Sequence, residues 1–334
     1  MLLTFSYPIL FMPILFMTTL AALSASNWYI LWLFLEINLL CFVPIIISSH
    51  SNPTAEASVK YFLAQATGSI LLLTAAISMT ASDHISPMFS GALLISSIAL
   101  KLGMPPAHFW FPSVMAAMSW INCLLLSTWQ KIAPLFIMVL AFSPLSRPII
   151  FGLAGLAALV GGLGGLNQTQ LRPLLAYSSM GHMGWMVAAS MVSVNSMVLY
   201  FASYIAISTP LMLPLHKFNS FSKAASSNIL SIPLPLLAPT LILLLSLGGL
   251  PPLMGFFPKW IVLQALVASA SLMVLLSLIL GSLMNLFYYL TVVFSISMSS
   301  SSQSLLNTHV STATLFLPMM FSLPLIPISL ALLT

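Results

Sequence analysis

Apolar runs about twenty residues long follow one another along almost the whole chain, and that repetition constrains the fold more than any motif. Crossing the hydrocarbon core of a bilayer takes about 20 apolar residues. Only 3% of the 334 residues are charged and 60% are hydrophobic. A soluble domain carries about 25% charged residues. The expected fold class is therefore an all-α polytopic membrane protein, with lipids as its surroundings. The net charge of +5 is too small for a nucleic-acid surface, so nucleic acid is not an expected partner. Cys41 and Cys123 sit inside apolar runs and read as packing residues, not as a disulfide or metal ligands. No basic residue precedes Lys60, so neither an Arg-rich import presequence nor a charged secretory leader is expected.

About eleven transmembrane helices are predicted: Leu2–Leu23, Trp28–Ile47, Val59–Met79, Met88–Met118, Ile121–Phe142, Ile149–Leu166, Leu174–Val192, Met197–Leu215, Leu234–Val267, Ser271–Ser295 and Thr312–Leu333. Two connections read as true loops, from His216 and from Ser299. With the N-terminus inside, Lys60, Arg172, Lys217 and Lys223 fall at inner ends and Arg147 alone falls outside. That bias favours an outside C-terminus. Glu56 and Lys60 are spaced for a surface i,i+4 pair.

The fourth and ninth runs are too long for one crossing. Thirty helical residues reach about 45 Å against a core of about 30 Å. Each contains the same punctuation: GMPPAHFWFP from Gly103 and GLPPLMGFFP from Gly249, both Gly-x-Pro-Pro-x4-Phe-Pro. Pro105 and Pro106, like Pro251 and Pro252, remove backbone donors and crowd the preceding turn, so each pair breaks its helix. Interrupted segments at corresponding places in two halves point to a transporter with internal repeats. Five helices per repeat is an odd number, so the second copy is inverted. The expected organisation is a first five-helix repeat over 1–142, a second, inverted five-helix repeat over 149–295, and one extra C-terminal helix over 312–333. The alternative is two chance kinks in ordinary helices.

Four charges stand inside these runs. Glu36 is midway through the second and Lys131 midway through the fifth; Lys101 precedes the first break and Lys259 follows the second. Each charge at mid-bilayer costs about 2.5–3.5 kcal/mol, so four unpaired ones would cost about 10–14 kcal/mol. They are expected to face the interior, pair, or meet water. Burial disfavours a charged amine and a nearby carboxylate favours it, so an amine with a switchable partner can take up and release a proton. The plainer alternative is one structural Glu–Lys pair plus lysines reaching for an interface. His182 and His108 are further candidates for proton transfer, since histidine titrates in the physiological range. Gln65, Asn122, Tyr204, Asn285 and Tyr288 are weaker candidates for holding water. GGLGGLNQTQ lacks the Lys-Ser/Thr ending of a phosphate loop, and Gly161 and Gly165 fit a face for close helix packing. No dinucleotide fingerprint, Cys/His cluster or catalytic triad is present in the sequence, so no redox centre is expected in this chain.

The blocks FLEIN, EASVKYFLAQATGSILLL, LKLGMPPAHFWFP, STWQKIAPL, GGLNQTQLRPLLAYSSMGHMGWM and LGGLPPLMGFFPKW resemble the subunit 2 family of mitochondrial NADH–ubiquinone oxidoreductase, respiratory complex I. The resemblance runs from Glu36 to Trp260 and implies an antiporter-like membrane-arm subunit that translocates protons. It implies functional charges at Glu36, Lys101, Lys131 and Lys259. It also implies neighbouring antiporter-like and other membrane-arm subunits as partners, and the mitochondrial inner membrane as location. NADH, FMN, iron–sulfur clusters and ubiquinone would belong to the whole complex, with no cofactor in this chain. Ser113 and Ala265 stand where many relatives carry glutamate, and Pro173 where a basic residue is common. A free-standing cation/proton antiporter and a non-conducting structural subunit are the alternative readings.

Overall fold

A computed structural model describes residues 6–48, 51–80, 87–140, 146–218, 234–269 and 271–300. The regular elements among them are helices: α1 (Ser6–Ser24), α2 (Trp28–Ile47), α3 (Asn52–Thr80), α4 (Pro87–Leu102), α5 (Trp110–Ala117), α6 (Trp120–Ser127), α7 (Trp129–Leu140), α8 (Arg147–Leu166), α9 (Leu171–Ser190), α10 (Val194–Phe218), α11 (Leu234–Gly248), α12 (Phe256–Ala268) and α13 (Leu272–Ser300). Six stretches are long and apolar enough to cross a membrane, with shorter apolar helices beside them. The predicted span Thr312–Leu333 lies outside the described residues, as do most of the two predicted loops. The chain divides into two compact units, Met1–Ala157 and Ala158–Thr334.

Solvent logic is inverted in both units. Leu33, Leu40, Leu63, Ile70, Leu276 and Leu283 point outward, while Ser97, Lys101, Lys131, His182, Ser246 and Lys259 are buried. Buried hydroxyls return to carbonyls of their own helix, as Ser97 does to Leu94 (2.7 Å) and Ser246 to Leu243 (2.7 Å). A hydroxyl satisfied in this way needs no water. Elsewhere side chains tie helices together. Trp32 Nε1 donates to the Ser69 carbonyl (3.1 Å), Trp129 Nε1 to Thr19 Oγ1 (3.0 Å), and Asn122 Nδ2 to the Ile45 carbonyl (3.1 Å).

Both predicted breaks are present, and each is the same cap. At the first, Gly103 takes φ +70°. Its N–H donates to the Leu100 carbonyl (3.1 Å), and the Met104 N–H reaches back to Ala99 (2.8 Å). At the second, Gly249 takes φ +84°. Its N–H donates to Ser246 (3.0 Å), and the Leu250 N–H to Leu245 (3.4 Å). These paired bonds define a Schellman motif, whose left-handed residue is glycine because a Cβ there is strained. The two prolines that follow cannot resume the helix. Glycine therefore ends the helix, and the Pro-Pro pair holds the chain open until Trp110 and Phe256.

The fifth predicted span stays long and apolar enough for one crossing over Trp120–Leu140, but its helix is interrupted at Thr128, between α6 and α7. Thr128 Oγ1 donates to the Leu124 carbonyl (2.6 Å), and Pro134 has no N–H for the carbonyl four residues back. The helix is loosened on both sides of Lys131. Gly161 packs as expected: an added Cβ would lie 2.6 Å from Gly181 N and 2.7 Å from the Tyr177 carbonyl. Glu56 and Lys60 form their exposed pair at 2.6 Å, and both cysteines are free and buried.

Candidate functional site at the interrupted helices

In the first unit, side chains as well as the backbone cap reach the last carbonyls of helix α4. Trp110 Nε1 donates to the Leu100 carbonyl (3.2 Å), and Gln65 Nε2 donates to the Lys101 carbonyl (3.1 Å). Lys101 returns the contact, its Nζ donating to the Gln65 carbonyl (3.4 Å). Gly68, one turn along α3, leaves room for the lysine stem: an added Cβ would lie 3.0 Å from Lys101 Cγ. Lys101 is only 7% exposed, so it does not reach for an interface.

Lys131 is more deeply held, at 3% exposure, with Nζ 4.7 Å from the centroid of the Phe111 ring. That distance allows cation–π attraction. Lys101 and Lys131 line one cavity of about 20 Å³, together with Asn38, Tyr61, Gln65 and Gln130. A water needs roughly 10–15 Å³ measured in this way, plus two or more polar partners. Both conditions are met. Gln130 Nε2 donates to Asn38 Oδ1 (2.9 Å), joining α7 to α2 on the cavity wall.

Glu36 lies on α2 and is only partly buried. Its carboxylate acts electrostatically on Lys101, and no direct ion pair joins the two. Its Oε2 is buried with no hydrogen-bond partner among the described residues. His108 lies within the break itself. Its Nδ1 bonds the Pro106 carbonyl (3.2 Å), and its ring stacks on Phe109 at 4.1 Å. These contacts brace the loop.

In the second unit the lysine itself caps the broken helix. Lys259, 7% exposed, donates from Nζ to the Gly248 carbonyl at 2.8 Å. A cation at a helix C-terminus also meets the negative end of the helix dipole. His182 is 4% exposed on α9, a helix buried on almost every side because Gly, Ala, Ser and Met let its neighbours close in. Its Nδ1 bonds the Tyr200 hydroxyl (3.0 Å), and the Tyr204 ring lies 5.2 Å away.

Each unit thus buries its own cations beside an interruption. Sequence reading missed Asn38, Gln130, Tyr200 and Tyr289. A polar side chain within an apolar run was the available signal for each. Among the described residues no group of three His, Cys, Asp or Glu side chains gathers as metal ligands would.

A bundle of apolar helices, two of them interrupted beside buried lysines, defines a polytopic membrane protein that keeps ionisable groups inside itself. The profile of the family described as NADH:quinone oxidoreductase/Mrp antiporter, TM matches residues 25–287, and the chain belongs to that family. It is 45% identical over 285 residues to NADH-ubiquinone oxidoreductase chain 2 of Lumbricus terrestris, covering 85% of each chain. It is 40% identical over 295 residues to the protein of the same name from Squalus acanthias, covering 86% of this chain and 84% of the other. Among solved structures, a chain of respiratory complex I from Thermus thermophilus superposes with TM-score 0.78 at 21% identity, over 91% of this chain and 74% of that one. A chain of the Mrp complex from Dietzia sp. superposes with TM-score 0.70 at 17% identity, over 82% and 57%. The structural likenesses establish a shared fold.

Proposed function

We propose that the chain is a proton-translocating subunit of the membrane arm of NADH–ubiquinone oxidoreductase, respiratory complex I. The observation that carries this reading is the water-sized cavity walled by both Lys101 and Lys131. The relatives named NADH-ubiquinone oxidoreductase chain 2 supply the identity of the complex.

Proton movement in the first unit follows from the electrostatics. Glu36, on α2, is the carboxylate that would support a charge on Lys101. A charge change in a neighbouring subunit alters that support, because Glu36 is partly exposed at the surface of this chain. Once the carboxylate no longer compensates it, the buried ammonium gives up a proton. The cavity offers the route to Lys131. The second unit carries its own buried groups, Lys259 and His182. NADH, FMN, iron–sulfur clusters and ubiquinone act in other parts of the complex, and this chain contributes the proton path.

The finer architecture is eleven crossings: inverted five-helix repeats over 1–142 and 149–295, and a last helix over 312–333. The matching Schellman breaks, one in each repeat, support it. The location is the mitochondrial inner membrane, with the N-terminus on the matrix side, the C-terminus in the intermembrane space, and other membrane-arm subunits alongside.

The test is Lys131→Ala in the assembled complex. Proton translocation per NADH is expected to fall. An unchanged ratio with normal assembly would leave a structural spacer as the better reading. The family description, which includes Mrp antiporters, supports a second reading, a free-standing cation/proton antiporter. On a native gel an antiporter runs apart from NADH-oxidising activity, whereas a complex I subunit runs with it.

A further inference from the structure

All three acidic residues of the chain, Glu36, Glu56 and Asp83, precede residue 84. The second unit, which holds Lys259 and His182, thus has no Asp or Glu side chain in its sequence. It has buried tyrosines. Tyr200, Tyr204, Tyr288 and Tyr289 are each at most 4% exposed, and they come from two helices, α10 and α13, that pack on α9.

The cluster adjoins the surroundings of both bases. Lys259 Nζ binds the Gly248 carbonyl, and the Tyr289 ring lies against Gly248, where an added Cβ would be 3.7 Å from Tyr289 Cδ2. Tyr289 adjoins Tyr288, with ring centroids 4.8 Å apart; Ser178 hydrogen-bonds with both, and Tyr204 acts on both through space. The Tyr204 ring lies 5.2 Å from that of His182, tilted by 46°, and His182 bonds Tyr200. The hydroxyls of Tyr288 and Tyr289 are buried. Glycines make space for this arrangement: a Cβ at Gly165 would lie 2.5 Å from Tyr288 Cε1.

We propose that these tyrosine hydroxyls, with Ser178, form a neutral proton relay joining Lys259 to His182. The inference rests on the proton-translocating reading above. In each step a hydroxyl oxygen accepts a proton as its own O–H bond breaks and that proton passes to the next oxygen or ring nitrogen. The hydroxyl emerges unchanged, no electron moves, and no carboxylate is needed.

The experiment compares Tyr200→Phe, Tyr204→Phe, Tyr288→Phe and Tyr289→Phe in the intact complex, alongside Lys259→Ala and the control Tyr177→Phe. Proton translocation into sealed vesicles is measured per assembled complex, in H2O and in D2O. Phenylalanine keeps each ring in place, so packing is preserved. The relay predicts that assembled Tyr204→Phe and Tyr289→Phe complexes pump about five- to tenfold more slowly, the scale of one lost hydrogen bond at a transfer step. It predicts a larger solvent isotope effect as well, which loss of packing would not produce, and no change in Tyr177→Phe. If Lys259→Ala slows pumping and none of the tyrosine variants does, the relay is overturned and the broader function stands. If Lys259→Ala has no effect either, the relay is overturned as well, and the broader function is decided by Lys131→Ala. Failure of all four tyrosine variants to assemble would mark the hydroxyls as structural and would also overturn the relay.

Discussion

Lys259 donates to the carbonyl of Gly248, 11 residues back along the chain, and so closes the end of the very helix whose interruption it follows. Glycine at position 249 makes this possible. Its backbone sits at φ +84°, and an alanine Cβ there would stand 2.5 Å from Lys259 Nζ. Left-handed backbone costs a non-glycine residue about 1–2 kcal/mol. Gly249→Ala is therefore expected to destabilise the second unit by at least that amount and to displace the lysine. Thermal unfolding of the purified complex checks it, and an unshifted midpoint would contradict the cap.

Gln65 holds the other broken helix through reciprocal bonds with Lys101. Gln65→Leu removes the donor to the Lys101 carbonyl and puts an apolar group on the cavity wall. A buried carbonyl left without its donor costs about 1–3 kcal/mol. The variant is expected to lower thermal stability and slow pumping together. Slowed pumping at unchanged stability would show that the glutamine is not a strut.

Asn38 and Gln130 form a single hydrogen bond between α2 and α7. Residues bonded in this way are non-additive. Asn38→Ala and Gln130→Ala are each expected to reduce stability, and the double variant to be hardly worse than either, with a coupling of about 0.5–1.5 kcal/mol. Strict additivity in a double-mutant cycle would remove this contact from the account.

Gly161 packs on the backbone of Gly181 and Tyr177. Any larger residue must push α8 from α9, and overpacking typically costs about 1–3 kcal/mol. Gly161→Val is expected to reduce the amount of assembled complex, whereas Gly152→Val, with nothing within 4 Å, is not. Quantitative native gels compare the two.

The interruptions were legible because glycine and paired prolines act locally, through φ and a missing N–H. Buried charges were legible because a charged residue in the middle of a long apolar run stands out in the sequence. The interruption before Lys131 was not legible, since Thr128 could as easily have pointed outward; only its bond to Leu124 reveals the loosening. The missing direct pair between Glu36 and Lys101 depends on how α2 is rotated, which an apolar run with little periodicity does not specify. Asn38, Gln130 and the tyrosines join the site through contacts between residues far apart in sequence. Spacing within one helix carries no sign of those contacts.

The cavity between Lys101 and Lys131 is the centre of the account, and a density map of the intact complex at a resolution that shows water tests it most directly. The account predicts ordered water there, within about 2.7–3.2 Å of lysine or amide partners. A dry, closed gap between the two lysines, or lysine side chains turned out to lipid, would contradict it.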